Sequence, residues 1–185
     1  MKNQQQINQA RNNAWCVYSR DEVDTAVSKM ALDINATLAD SNPLVICIMN
    51  GGLVLTGQLM PLLNFPLQLD YLHATRYQGA TEGGELCWLN KPQNSLQGRT
   101  ILLVDDIFEQ GTTLAKIIDY CKEQGAAAVY CAVLLKKKLA HRQYDINIDF
   151  MGLEVEDHYV FGFGMDLYHY WRNADGIYAI KEDTQ

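Results

Sequence analysis

Basic residues are in short supply. Fifteen Lys and Arg stand against 22 Asp and Glu in 185 residues, giving a formal charge of −7 and a pI near 5.0. Such a chain has no broad positive surface with which to displace counterions from a phosphate backbone, so nucleic acid is excluded as the default partner. The one dense basic cluster, Lys136, Lys137 and Lys138 with His141 and Arg142, is too small for a duplex footprint. Long apolar runs are also missing. Nothing approaches the ~18 residues of a membrane span, and the opening "MKNQQQINQARNNAW" has no apolar signal-peptide segment. These absences predict a cytoplasmic protein without membrane contacts. Cys16, Cys47, Cys87, Cys121 and Cys131 form no C-x-x-C pair, which argues against a zinc site or a disulfide framework and predicts reduced thiols. His73, His141, His158 and His169 lack any metal-ligand spacing and read as structural or surface residues. Trp15, Trp88 and Trp171 read as packing residues.

What is present is an ordinary globular composition, 48% hydrophobic, of a length that fits one domain over residues 1–185. Residues 1–13, rich in Asn and Gln, are expected to form a fraying lead-in. Helical spacing of Val23, Ala26, Val27, Met30, Ala31, Ile34 and Leu38 predicts an amphipathic helix over 21–38. "PLVICIMNGG" then reads as a buried strand ending in a glycine turn, and "LVLTGQLMPLL" as a helix up to the break near Pro61. "LQLDYLHA" is a second strand, and "LCWL" returns antiparallel to it after the polar, glycine-rich stretch at 75–84. A third strand over 100–105 leads to a helix closed by Gly125, and "AVYCAVLLK" is the next strand. This βαβ alternation of apolar strands predicts an α/β fold, a parallel sheet with helices on both faces. "DFMGLEV", "YVFGFGMD" and "GIYAI" are short strands that complete the sheet and build a smaller cap.

The chemistry concentrates in "TILLVDDIFEQGTTL", residues 100–114, where a buried strand ends on acids. Uncompensated charge is costly there, so Asp105 and Asp106 are expected at the carboxyl edge of the sheet, where ligands bind. Adjacent strand residues point to opposite faces, which assigns the two acids different roles. Gln110, Gly111, Thr112 and Thr113 follow at a strand-to-helix turn, a place where backbone amides and the helix dipole receive phosphate. The turn lacks the lysine and spacing of a Walker loop, and "GFGMDL" lacks the third glycine of a dinucleotide fingerprint. Ionised carboxylates accept hydrogen bonds from a sugar diol, so a ribose 5-phosphate suits the array.

These residues resemble the phosphoribosyl-pyrophosphate (PRPP) binding signature of type I phosphoribosyltransferases. "MNGG", "AVLLKKK" and "VFGFGMDLYHYWRN" are similar to segments of the hypoxanthine-guanine branch, in order from about Val45 to Ile180. The resemblance implies a single domain with a core over about 20–150 and a hood built from the N- and C-terminal segments. It implies transfer of ribose 5-phosphate from PRPP to hypoxanthine or guanine, with Mg2+ as cofactor and assembly as a homodimer or homotetramer. Asp105 and Asp106 would hold the ribose hydroxyls, Asp106 also orienting the metal with Asp166. Glu109 stands where the family more often has Asp, facing purine N7 as the acid-base group. Gln110 to Thr113 would hold the 5′-phosphate, and Asn50, Gly51 and Arg172 the pyrophosphate. Lys137 would donate to the purine 6-oxo group by the Leu134-Leu135-x-Lys spacing, whereas an ungapped count from Asp166 selects Lys138. Val160 would read the base through its main chain, with Tyr159 stacking on the ring; both also read as core residues. The stretch at 75–84, with Arg76 and Tyr77, would be a lid. A PRPP-responsive nucleic-acid-binding regulator of the same fold, or the same enzyme acting on xanthine, are the alternatives.

Overall fold

Residues 3–76 and 86–180 are described by a computed structural model of the chain. The expected fraying lead-in is instead a helix, α1 (Gln4–Asn12). Asn3 and Gln6 cap each other reciprocally, and Ile7 is only 2% exposed. The Arg11 guanidinium lies 4.1 Å from the Tyr178 ring centroid and also faces Phe161 and Trp171. Polar composition conceals such a helix because what holds it is tertiary: one buried side chain and a cation over aromatic faces.

A strand without a sequence signal follows, β1 (Trp15–Tyr18), and then α2 (Arg20–Leu38), which starts at a Ser19–Glu22 capping box and buries the anticipated apolar stripe. β2 (Leu44–Met49) leads through a cis Met49–Asn50 peptide into α3 (Gly52–Leu59), and Pro61 sits in the 3-10 turn that ends it. β3 (Gln68–Arg76) and β4 (Leu86–Asn90) pair antiparallel. β5 (Thr100–Phe108) runs three residues beyond its expected end at Asp105. α4 (Thr112–Glu123) closes with Gly125 at φ +80°, its amide donating to Lys122 O. β6 (Ala128–Lys137), β7 (Phe150–Val155), β8 (Tyr159–Phe161) and β9 (Ile177–Ile180) complete the set.

The large sheet has the order β4-β3-β2-β5-β6-β7, with β4 antiparallel and the rest parallel. Strand alternation divides its core. Val45, Leu102, Val104 and Leu134 meet α2 and α3 on one face, while Leu44, Ile46, Leu103 and Val133 meet Leu114 and Ile117 of α4 on the other. The chain leaves β2 in one direction for β3 and returns on its other side as β5, so the topological switch point lies between β2 and β5. Their pairing runs from Leu44↔Ile101 to Cys47↔Val104, whereas β5 and β6 stay paired as far as Phe108↔Lys136. Beyond Val104 one edge of β5 therefore opens into a cleft. β1, β9 and β8 form a separate three-stranded sheet from segments near both ends of the chain.

Candidate active site

The cleft at the switch point has a volume of about 470 Å³. Asn50 and Gly51 from the β2–α3 turn, Asp105 to Gly111 from the end of β5, and Asp166 and Arg172 from the loop after β8 line it together. Residues separated by over a hundred positions in sequence thus meet at one sheet edge.

Because β5 continues through the acid pair, Asp105 and Asp106 do point to opposite faces. Asp106, 9% exposed, lies against the β2–α3 turn so closely that a Cβ on Gly51 would overlap its carboxylate. Asp105 folds back to accept the Asp106 amide at 3.0 Å. Burial, followed by the neighbouring Asp106 charge, pushes the Asp105 carboxyl well above the ordinary carboxylate range. Burial also raises Asp106, opposed by its bond with Asp105 and by the Arg172 guanidinium. A buried acid beside a half-buried one is poised for a ligand that supplies donors or positive charge.

The turn after β5 is built for close approach. Gly111 has φ +76°, and a Cβ there would meet Tyr144 O and the Phe108 ring. Gly111 supplies no side-chain cap, so the positive end of the α4 dipole is presented to the cleft beside Gln110 and Thr113. The Thr112 hydroxyl is directed elsewhere and donates to Gln143 Oε1 at 2.7 Å. Across the cleft, Asp166 Oδ1 accepts from Arg172 at 2.7 Å, Asp166 Oδ2 accepts the His169 amide at 2.7 Å, and Arg172 also donates to Gly164 O at 2.6 Å. A Cβ on Gly164, at φ +106°, would strike Gly51 O, so this loop and the β2–α3 turn abut.

Of the three candidate lysines, Lys137 is the one bonded to a cleft-lining residue, Glu109, although it is not itself in the lining. It is 8% exposed, and its Nζ donates to Glu109 Oε1 at 2.7 Å and Asp157 Oδ1 at 3.3 Å. Burial alone would lower its pKa, but the bonds and charges of Glu109 and Asp157 hold it above its usual value. Lys138 is half exposed and pairs with Glu156. Arg142 donates to the main-chain carbonyls of Glu109 and Lys137.

Tyr159 and Val160 stand apart from the cleft lining. Val160 packs in the core with α2, and Tyr159 turns to the other side of β8, its ring 5.8 Å from that of Tyr168. Their side chains take the packing role. The site also includes two residues that the sequence assigns elsewhere, His73 on β3 and His169 in the loop after β8, both lining the cleft. No spacing signal marks them, since each reaches the cleft through topology alone. Thr75 lines the cleft and Arg76 ends β3, while residues 77–84, with Tyr77, fall outside the described residues.

The phosphoribosyl transferase domain family model matches residues 19–169. The hypoxanthine-guanine-xanthine phosphoribosyltransferase of Tritrichomonas foetus is 28% identical over 168 residues, 91% of this chain and 92% of the relative. The hypoxanthine-guanine phosphoribosyltransferase of Bacillus subtilis is 29% identical over 164 residues, 88% of this chain and 91% of the relative. Among solved structures, a hypoxanthine-guanine-xanthine phosphoribosyltransferase superposes with a TM-score of 0.83 at 26% identity, covering 91% of this chain and 97% of the other. A hypoxanthine phosphoribosyltransferase of Staphylococcus aureus gives 0.86 at 22% identity, covering 92% and 94%.

Proposed function

The chain belongs to the phosphoribosyl transferase domain family, and we propose that it carries out purine salvage, transferring ribose 5-phosphate from PRPP to N9 of hypoxanthine or guanine. The observation that carries this reading is the acid pair of Asp105 and Asp106 beside the Gly111 turn at the sheet's switch point. The names of the relatives point to the same acceptors.

In this reaction the bond from C1′ to the pyrophosphate oxygen breaks, pyrophosphate leaves with the electron pair, and a C1′–N9 bond forms. The carboxylates of Asp105 and Asp106 accept the ribose hydroxyls, and the Gln110–Thr113 turn receives the 5′-phosphate. Arg172 and the Asn50-Gly51 turn face the departing pyrophosphate, where fixed dipoles and charge lower the barrier. Lys137 donates to the 6-oxo group. Glu109, released from that lysine as the base enters, takes the proton from N7.

The donor set fits Mg2+: the acids lining the cleft offer hard oxygens, and no thiol is among its lining residues. Among the described residues no three His, Cys, Asp or Glu stand close enough to hold a metal alone. Asp106 and Asp166 would therefore share the ion with substrate oxygens and water. Held there, the ion would supply positive charge to offset what develops on the pyrophosphate.

In this reading the chain is a single domain whose small sheet serves as the hood. Partly exposed Leu53, Leu69 and Tyr71 border an apolar hollow with Met49 and Met60, a face suited to a homodimer. Among the described residues no helix is long and apolar enough to cross a membrane. The deciding assay is PRPP-dependent turnover of hypoxanthine, guanine, xanthine, adenine and uracil in parallel. Use of hypoxanthine or guanine is expected; turnover of uracil alone would overturn the acceptor.

A further inference from the structure

We propose that Arg142 is a positioning residue that sets the Glu109–Lys137 pair from behind, through the main chain. The pairing of β5 with β6 ends at Phe108↔Lys136. Glu109, just past the end of β5, and Lys137, the last residue of β6, come next, so the ladder gives out at the two positions assigned to the base. Arg142, from the segment between β6 and β7, takes over there. Its Nε donates to Glu109 O at 2.5 Å and its terminal nitrogen donates to Lys137 O. The guanidinium sits 4.6 Å from the centroid of the buried Phe108 ring, which fixes its plane.

A guanidinium carries donors in a rigid fork and can span two carbonyls at a set separation, whereas an ammonium on a flexible stem does not hold both in one geometry. The residues that follow extend the clamp. Tyr144 donates its amide to Gln110 O at 3.0 Å, and the Gln143 amide donates to Gln110 Oε1 at 3.2 Å. One tripeptide thereby ties the acid-base residue, the base-reading lysine and the phosphate turn together, without a side chain in the cleft lining.

The inference rests on the phosphoribosyl-transfer reading, and its test separates the two. Steady-state kcat with PRPP and hypoxanthine is measured for the wild type, Arg142→Lys, Glu109→Gln and the double variant, together with thermal midpoints. Arg142→Lys keeps the charge and most of the stem, so it disturbs folding less than a truncation does. We expect kcat to fall about 10²-fold in Arg142→Lys, the scale of a ~1 Å misplacement. In the Glu109→Gln background the same substitution costs little more, because no carboxylate is left to position. An equal fold-loss in both backgrounds, or a wild-type kcat in Arg142→Lys, overturns the positioning role while transfer itself stands. Absence of turnover by the wild type overturns the reading beneath it.

Discussion

Gly51 and the carboxylate of Asp106 are packed so tightly that no side chain fits between them. The turn proposed to face pyrophosphate and the acid proposed to face ribose are thus mutually shaped, and the glycine is required by close approach. Gly51→Ala must displace Asp106 or the turn. We expect a stability loss of about 1–3 kcal/mol, the usual cost of overpacking, with PRPP turnover falling more than the melting temperature alone accounts for. Thermal unfolding and kcat/KM for PRPP measure both, and an alanine variant with normal turnover would contradict this packing.

The acid pair makes the site costly for the fold. Asp105 and Asp106 have pKa values raised by burial, so ionisation is harder in the folded state than in the unfolded chain. Their contribution to stability is fully present below the unfolded value of about 3.9 and is lost as pH rises to the folded value. Asp105→Asn should therefore raise the melting temperature at pH 7, and the gain should vanish near pH 3–4, while turnover is lost. A pH series of melting curves tests the sign; a variant less stable than wild type at neutral pH would refute it.

Lys137 and Lys138 are adjacent in sequence but differ in surroundings. Lys137→Ala removes a buried charged donor worth about 1.5–3 kcal/mol, so KM for hypoxanthine should rise roughly ten- to a hundredfold. Lys138→Ala removes only a half-exposed, solvent-screened surface pair with Glu156, and should leave KM near its starting value. Purine titrations of both variants distinguish them, and reversed effects would reassign the base contact.

Asp70 is 8% exposed and accepts from the amides of Tyr71, Gln93 and Asn94 and from the Asn94 side chain. Burial alone would raise its pKa, but these bonds outweigh it and hold the value below normal. Its stabilisation is present above about pH 3.9 and is lost as pH falls through the depressed folded value. Asp70→Ala leaves amides unsatisfied and should cost about 1–3 kcal/mol at pH 7, narrowing in acid. Urea unfolding at two pH values checks both the size and the trend.

The legible part of the molecule was its periodic part. Apolar β-branched runs marked β2, β5 and β6, and the acid pair with its glycine turn marked the sheet edge. What escaped depended on tertiary contacts. α1 rests on Ile7 and on Arg11 over three rings, and β1 is four residues long with its partner β9 near the other end of the chain. Alternation along β8 sends Tyr159 and Val160 to opposite sides, but sequence did not say which side met the cleft. Burial, invisible in a run of three lysines, sets Lys137 apart from its neighbours.

The central claim is that Asp105 and Asp106 grip the sugar of PRPP. Calorimetric titration of PRPP with Mg2+ into the wild type and into the Asp105→Ala/Asp106→Ala variant tests it most directly, with folding verified by melting curves. The account predicts saturable binding to the wild type and none that can be measured for the folded double variant. Equal affinity in both proteins would contradict it.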